Sequence, residues 1–212
     1  MGFQGIIFDL DGVICSTDHY HYLAWKALSD RLGIPFDLER NNLLRGVSRM
    51  DSLEIILEKS SKQYSEQEKE IFAAEKNSLY RESLKEMTPD DLIEEVRQTL
   101  EKLRIMGLKL AIGSSSKNAP FILERIGLGT FFDAVADGNS ITRSKPDPEV
   151  FLQAADMLGL TPGQCLVVED ARAGVEAGVA GGFSVAAMGD AWDDQRAAYH
   201  LHRFCDLLKI AG

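Results

Sequence analysis

"GIIFDLDGV", residues 5–13, decides how this chain is read. A short apolar run, Gly5 to Phe8, breaks off into Asp9 and Asp11 with one leucine between them. A bounded run of this kind predicts a fully buried strand of a parallel sheet. In extended backbone, residues two apart point the same way. The spacing therefore predicts two carboxylates facing one pocket beyond the strand's carboxyl end. Such a pair either caps a turn before Gly12 or divides labour, with one acid as nucleophile or metal ligand and the other as general acid and base. Taken alone, the pair leaves both readings open.

Outward from this stretch, similar runs recur at 108–114, 132–137, 165–170 and 183–189, with helical patterns such as "DPEVFLQAADMLGL" between the later ones. That alternation predicts an α/β fold, a doubly wound parallel sheet of Rossmann-like type. From Asp18 to about Glu86 the character changes. "DHYHYLAWKALSDRLGI", "RMDSLEIILEK" and "SEQEKEIFAAEKNSLYRESLK" are amphipathic helices with no strand candidate among them. The expected organisation is an α/β catalytic core of residues 1–16 and 88–212 with an inserted α-helical cap domain of 17–87. "TPDD" predicts a helix start, with Thr88 as cap and Pro89 at the first helical position. Beyond Gly189, the apolar residues Ala197, Leu201, Phe204 and Leu208 form a helical stripe, and no further strand is evident before it.

The 212 residues carry 33 acidic against 23 basic side chains, a formal charge of -10. This argues against nucleic acid or an anionic membrane as partner, because phosphate surfaces need clustered Lys and Arg. A small phosphorylated molecule needs only one basic pocket. No eighteen apolar residues run together, and the start lacks a secretory pattern. Three scattered cysteines, with Cys15 expected to be packed rather than reactive, read as reduced thiols of a cytoplasmic protein.

The other strand ends favour chemistry over capping. "GSSSKN" (113–118) opens a helix with hydroxyls and a lysine, "SKPDP" (144–148) frames Lys145 with prolines, and "VVED" (167–170) ends a buried run in two acids. Carboxylates gathered from separate strand ends with a lysine and a serine suit Mg²⁺ and a phosphoryl group. In the helical region, "LLRGVSRMDSL" (43–53) offers Gly46 for close backbone approach, and Arg49 at a helix start can fork onto a phosphate.

In order, "DLDGV", "GSSSK", "SKPDP" and "VED" resemble the four motifs of the haloacid dehalogenase-like phosphotransferases, over residues 5 to about 188. The resemblance implies Asp9 as the nucleophile that becomes an aspartyl phosphate and Asp11 as general acid and base. It implies Ser114 and Lys145 on the phosphoryl oxygens. Mg²⁺ would lie on Asp9, the Asp11 backbone carbonyl and Asp170, with Glu169 nearby. "DHYHYLAWKAL", "RGVSR", "EKN" and "SSSKNAPF" further resemble the hexose-phosphate mutases of that family. By that likeness Arg49, Ser116, Lys117 and Asn118 would hold the non-transferring phosphate. His21, Trp25, Gly46, Val47, Ser48 and Lys76 would line the cap side, with Thr17 at the hinge. The implied activity converts β-glucose 1-phosphate to glucose 6-phosphate through phosphorylated Asp9 and glucose 1,6-bisphosphate, in a monomer. A sugar-phosphate phosphatase, which needs only one phosphate locus, is the alternative. A phosphorylated signalling domain would need neither the helical insertion nor Asp11.

Overall fold

The computed structural model describes residues 2–44 and 47–212, so the expectation for Gly46 lies outside the described residues. Six parallel strands form one sheet: β1 (Gly5–Phe8), β2 (Lys109–Gly113), β3 (Ala134–Ala136), β4 (Cys165–Glu169), β5 (Ser184–Ala187) and β6 (Tyr199–His200), in the order β3-β2-β1-β4-β5-β6. The first strand of the sequence is thus central. Phe8 lies in register with Ile112 on one side and Val168 on the other.

Alternation along the strands divides the core into two layers, as a sheet covered on both faces requires. Ile6, Phe8, Leu110, Ile112, Leu166 and Val168 point to one face. There they meet α5 (Glu94–Ile105), α6 (Ala119–Arg125) and α9 (Leu207–Ala211). Ile7, Ala111, Cys165 and Val167 point to the other, against α7 (Glu149–Leu158) and α8 (Arg172–Ala180).

Between β1 and α5 the described chain is helical: α1 (Asp18–Leu32), α2 (Leu38–Asn42), α3 (Arg49–Leu57) and α4 (Glu66–Ser83). These helices build their own core from Trp25, Leu28, Phe36, Leu53, Ile56 and Phe72. Tyr80 and Leu84, by contrast, pack into the sheet's own core.

Two expectations are corrected. Thr88 does cap, accepting from the Asp90 amide at 3.3 Å, but it closes only a single turn over Pro89–Asp91. Leu92 then leaves helical geometry, with ψ 113°, and α5 begins at Glu94. The larger correction is beyond Gly189, where the first half of the helical stripe is instead β6; one tight turn over Phe204–Asp206 then leads into α9, which keeps only Leu208 of the stripe in a helix. The Leu201 amide donates to the Ala187 carbonyl and the Ala198 amide to Val185, extending the sheet. Ala197 and Leu201 are buried while Ala198 and His200 are exposed, which is the alternation of a strand. At spacings of four and three, the same letters also satisfy a helix, and a two-residue strand is too short to outweigh that pattern.

Candidate active site

The carboxyl ends of β1, β2 and β4 open into one cavity of about 750 Å³, roofed by α1, α3 and α4. Sheets of this kind bind ligands at that edge, because the strand order reverses there and leaves a crevice. Its lining includes Asp9, Asp11, Ser114, Lys145, Glu169 and Asp170 from the sheet side. From the helical side come His21, Trp25, Val47, Ser48, Arg49 and Lys76, and Ser116, Lys117 and Asn118 complete the wall. Thr17 is the one described candidate outside the lining: it is fully buried beneath Asp11.

Lys145 is the electrostatic centre. Its Nζ donates to Asp9 Oδ1 and to Glu169 Oε1, each at 2.5 Å, and the side chain is 1% exposed. Burial works against its charge, yet Asp9 and Glu169 outweigh that cost and hold its pKa above the ordinary lysine value. Glu169 is fixed from behind, since its Oε2 accepts the amides of Asp170 and Ala171 at 2.9 and 3.0 Å. Backbone space for these acids comes from glycine. At Gly12, with φ +86°, a Cβ would stand 1.9 Å from Asp170 Oδ2.

Oxygen atoms of Asp9, Glu169 and Asp170, all buried, lie within 4.8 Å of one another. One ammonium faces three carboxylates, and the imbalance shows: burial, then the charges of Glu169, Asp9 and Asp11, push Asp170 up to about 9. An all-oxygen, over-acidic cluster is the donor set that a hard divalent cation prefers, so these residues fit Mg²⁺.

Asp11 is held differently. Its Oδ1 accepts the Thr17 amide at 2.6 Å and its Oδ2 the Thr17 hydroxyl at 2.7 Å. Burial raises its pKa to about 6 although both bonds oppose the rise, and 29% of the side chain remains open to the cavity. His21 Nε2 lies 3.9 Å from Asp11 Oδ2, while its Nδ1 is 2.8 Å from Lys76 Nζ. Lys76 as donor fixes the neutral tautomer with the proton on Nε2, toward Asp11. Burial and the neighbouring Lys76 charge press the His21 pKa down, and burial with Arg49 does the same to Lys76. Among the described residues no carboxylate pairs with the Lys76 ammonium, which lies 4.6 Å over the rings of both Trp25 and Tyr80.

At the far wall, Ser48 caps α3, accepting from the Asp51 amide, which leaves Arg49 at the first helical position. Opposite, the Ser114 and Ser116 oxygens accept the amides of Ser116 and Asn118. Both hydroxyls are therefore spent as acceptors at those contacts, and each keeps a proton to donate. The Asn118 amide bridges to the helices, donating to Asn77 Oδ1 at 3.0 Å and accepting from Arg81 at 3.3 Å.

Sequence reasoning passed over Tyr80 and Gly174. Tyr80 falls four residues after Lys76, one helical turn along the same face, and that spacing was the available signal. Gly174 in "ARAG" carries no chemistry of its own; a Cβ there would meet Glu169 at 1.8 Å.

The chain is 41% identical over 176 residues to the protein named Beta-phosphoglucomutase of Bacillus subtilis, covering 82% of this chain and 78% of that one. It is 30% identical to the Phosphorylated carbohydrates phosphatase of Thermotoga maritima, over 85% of this chain and 82% of that one. The crystal structure of beta-phosphoglucomutase from Clostridium difficile superposes with a TM-score of 0.91 at 36% identity, over 97% of this chain and 93% of that one. The family model described as haloacid dehalogenase-like hydrolase matches residues 3–182, which take in Asp9, Ser114, Lys145 and Asp170. The chain is an enzyme of the haloacid dehalogenase-like hydrolase family.

Proposed function

We propose that this enzyme interconverts β-glucose 1-phosphate and glucose 6-phosphate through phosphorylated Asp9 and glucose 1,6-bisphosphate. One observation supports the reading: two sets of side chains able to hold an anion line the same cavity. The first is Asp9 with Ser114 and Lys145, and the second is Arg49 with Ser116 and Lys117. A hydrolase needs only the first. A mutase needs both, because the sugar carries one phosphate while the other is transferred. The cavity volume falls within the roughly 300–1,000 Å³ usual for small-molecule sites.

In the first half-reaction a carboxylate oxygen of phosphorylated Asp9 is the leaving group, and a sugar hydroxyl attacks the phosphorus. The O–P bond to the sugar forms as the bond to Asp9 breaks, and Asp11 takes the hydroxyl proton. The bisphosphate then turns end for end. Asp9 attacks the other phosphorus, the sugar–phosphate bond breaks, and Asp11 returns the proton to the departing oxygen. Little covalent work falls to the protein beyond this; positioning and charge neutralisation lower the barrier. Lys145 and Ser114 bind the equatorial oxygens, and Arg49, Ser116, Lys117 and Asn118 grip the idle phosphate. The helices of residues 17–87 act as a cap that excludes water, with Trp25 and Val47 as its apolar lining. Asp9, Asp170, Glu169 and the Asp11 carbonyl would hold Mg²⁺, which supplies positive charge to the transferring phosphoryl group.

The test is a coupled assay with β-glucose 1-phosphate, Mg²⁺ and a trace of glucose 1,6-bisphosphate, reading glucose 6-phosphate and free phosphate together. Rapid glucose 6-phosphate with little free phosphate is the expected result. Free phosphate alone would leave the Asp9 and Asp11 roles standing and overturn the mutase reading in favour of a sugar-phosphate phosphatase.

A further inference from the structure

Tyr80 lies on α4, in the inserted helices, yet its side chain is 1% exposed and reaches into the core of the α/β unit. Its hydroxyl donates to Thr17 Oγ1 at 3.0 Å, and Thr17 Oγ1 in turn donates to Asp11 Oδ2 at 2.7 Å. The same ring packs against His21, with centroids 4.0 Å apart. Two elements of the helical insertion and the acid at the end of β1 thus meet through one phenol.

A threonine hydroxyl has one proton, so the direction of this chain matters. Both Asp11 oxygens receive donors from Thr17, which commits the Thr17 proton to Asp11 and leaves Thr17 Oγ1 able only to accept from Tyr80. Burial, with the Asp11 charge next, holds the Tyr80 phenol well above its ordinary pKa, so it is a permanent donor. With the Tyr80 hydroxyl removed, Asp11 Oδ2 is the one remaining partner of the Thr17 hydroxyl among the described residues. That hydroxyl can then rotate away from Asp11 Oδ2, leaving the carboxyl held at Oδ1 by the Thr17 amide and loosened at its other oxygen.

We infer that Tyr80 is a positioning residue for the sugar-side proton transfer: through Thr17 it orients Asp11, and it does so only while α4 is seated on the core. The inference rests on the mutase reading insofar as Asp11 serves the sugar oxygen. It predicts a division between two reactions at the same Asp9. Transfer between Asp9 and a sugar oxygen needs Asp11. Phosphorylation of Asp9 by acetyl phosphate does not: the Asp9 oxygen bonds to phosphorus, the P–O bond to acetate breaks, and acetate leaves with the electron pair and needs no proton.

The experiment compares wild type, Tyr80→Phe, Thr17→Val and the double variant. Two readouts are taken: steady-state turnover of β-glucose 1-phosphate, and the rate of Asp9 phosphorylation by acetyl phosphate followed by intact mass. Phenylalanine keeps the ring contacts with His21 and Lys76 and deletes only the hydroxyl. Tyr80→Phe should lower kcat roughly 10-fold or more, as a small displacement of a reacting group does, with KM little changed. Its acetyl phosphate rate should equal wild type. Thr17→Val should show the same division, and the double variant should be no worse than Thr17→Val, since both changes break one chain. Equal losses in both reactions, no loss in either, or additive losses in the double variant would overturn the inference. Wild type that releases phosphate without isomerising would instead overturn the mutase reading. The same division would then be read from sugar-phosphate hydrolysis, where Asp11 protonates the same leaving oxygen.

Discussion

Gly174 stands in the first turn of α8, where helix propensity favours alanine by about 1 kcal/mol. Packing opposes that gain. The added Cβ would fall 1.8 Å from Glu169 Oε1, and Glu169 cannot swing aside while Lys145 and two backbone amides hold it. Overpacking typically costs about 1–3 kcal/mol, so the clash wins. Gly174→Ala is expected to destabilise the protein by about 1–2 kcal/mol and to reduce turnover, read from a denaturant midpoint and kcat. A variant as stable and as active as wild type would mean that the carboxylate has room to turn. At this scale the sequence displayed the acids and the lysine plainly, because a carboxylate at a strand end has few uses. It hid Gly174 and Tyr80. An absent side chain leaves no chemical mark, and a buried tyrosine in a helix reads as packing until its hydroxyl has a partner.

Among the elements, β6 is the least self-sufficient. Two residues of strand cannot hold a register alone, and Arg196 supplies the missing constraint. Its guanidinium donates to both oxygens of Asp194, to Glu176 of α8 at 2.8 Å, and to the Arg172 carbonyl. The connection between β5 and β6 is thereby fastened to α8. Hydrogen bonds from Arg196 lower the Asp194 pKa to about 2, despite the opposing effect of burial. Its folded-state pKa is depressed, so the stability it contributes is present above the unfolded value near 4. It is lost as pH falls through about 2. Asp194→Asn should therefore cost roughly 1 kcal/mol at pH 7, after allowance for solvent around the 42% exposed Arg196. Measured by thermal unfolding across pH, the gap to wild type should close between pH about 4 and 2; a gap of constant size would exclude the ion pair as its source. This clip could not be read in the sequence. Its α8 partners, Glu176 and the Arg172 carbonyl, lie 20 and 24 residues from Arg196, and surface acids and arginines recur throughout the chain. Long elements such as α1 and α4 were legible because their period repeats several times; α2 and β6 are too short to repeat one.

For the whole molecule, the same imbalance that suits a cation makes the empty-handed fold costly. Three buried carboxyl groups meet at the ends of strands from distant parts of the chain, and the Lys145 ammonium pairs with only two of them, Asp9 and Glu169. A cation bound only by the folded state stabilises it by about 2.7 kcal/mol at a hundredfold excess over its dissociation constant. For a chain of this size that corresponds to a rise in Tm of about 5 °C or more. Saturating Mg²⁺ should produce such a rise, followed by scanning calorimetry after chelator treatment, and Asp170→Asn should abolish it. An unchanged Tm in wild type would argue that Lys145 alone balances the cluster. The doubly wound core and its inserted helices were legible from the order of apolar runs, since each run is bounded and the helices between them are long.

The central place of β1 has a consequence for how the protein is made. The strand that ends in Asp9 leaves the ribosome first, but its two neighbours, β2 and β4, follow roughly 100 and 160 residues later. At about 5–20 residues per second, β1 waits on the order of 10 s with both edges open. The helical segment between β1 and β2 is synthesised in full within that wait. Synthesis therefore delivers the helices that roof the cavity before Ser114, Lys145, Glu169 and Asp170, the residues that line it with Asp9.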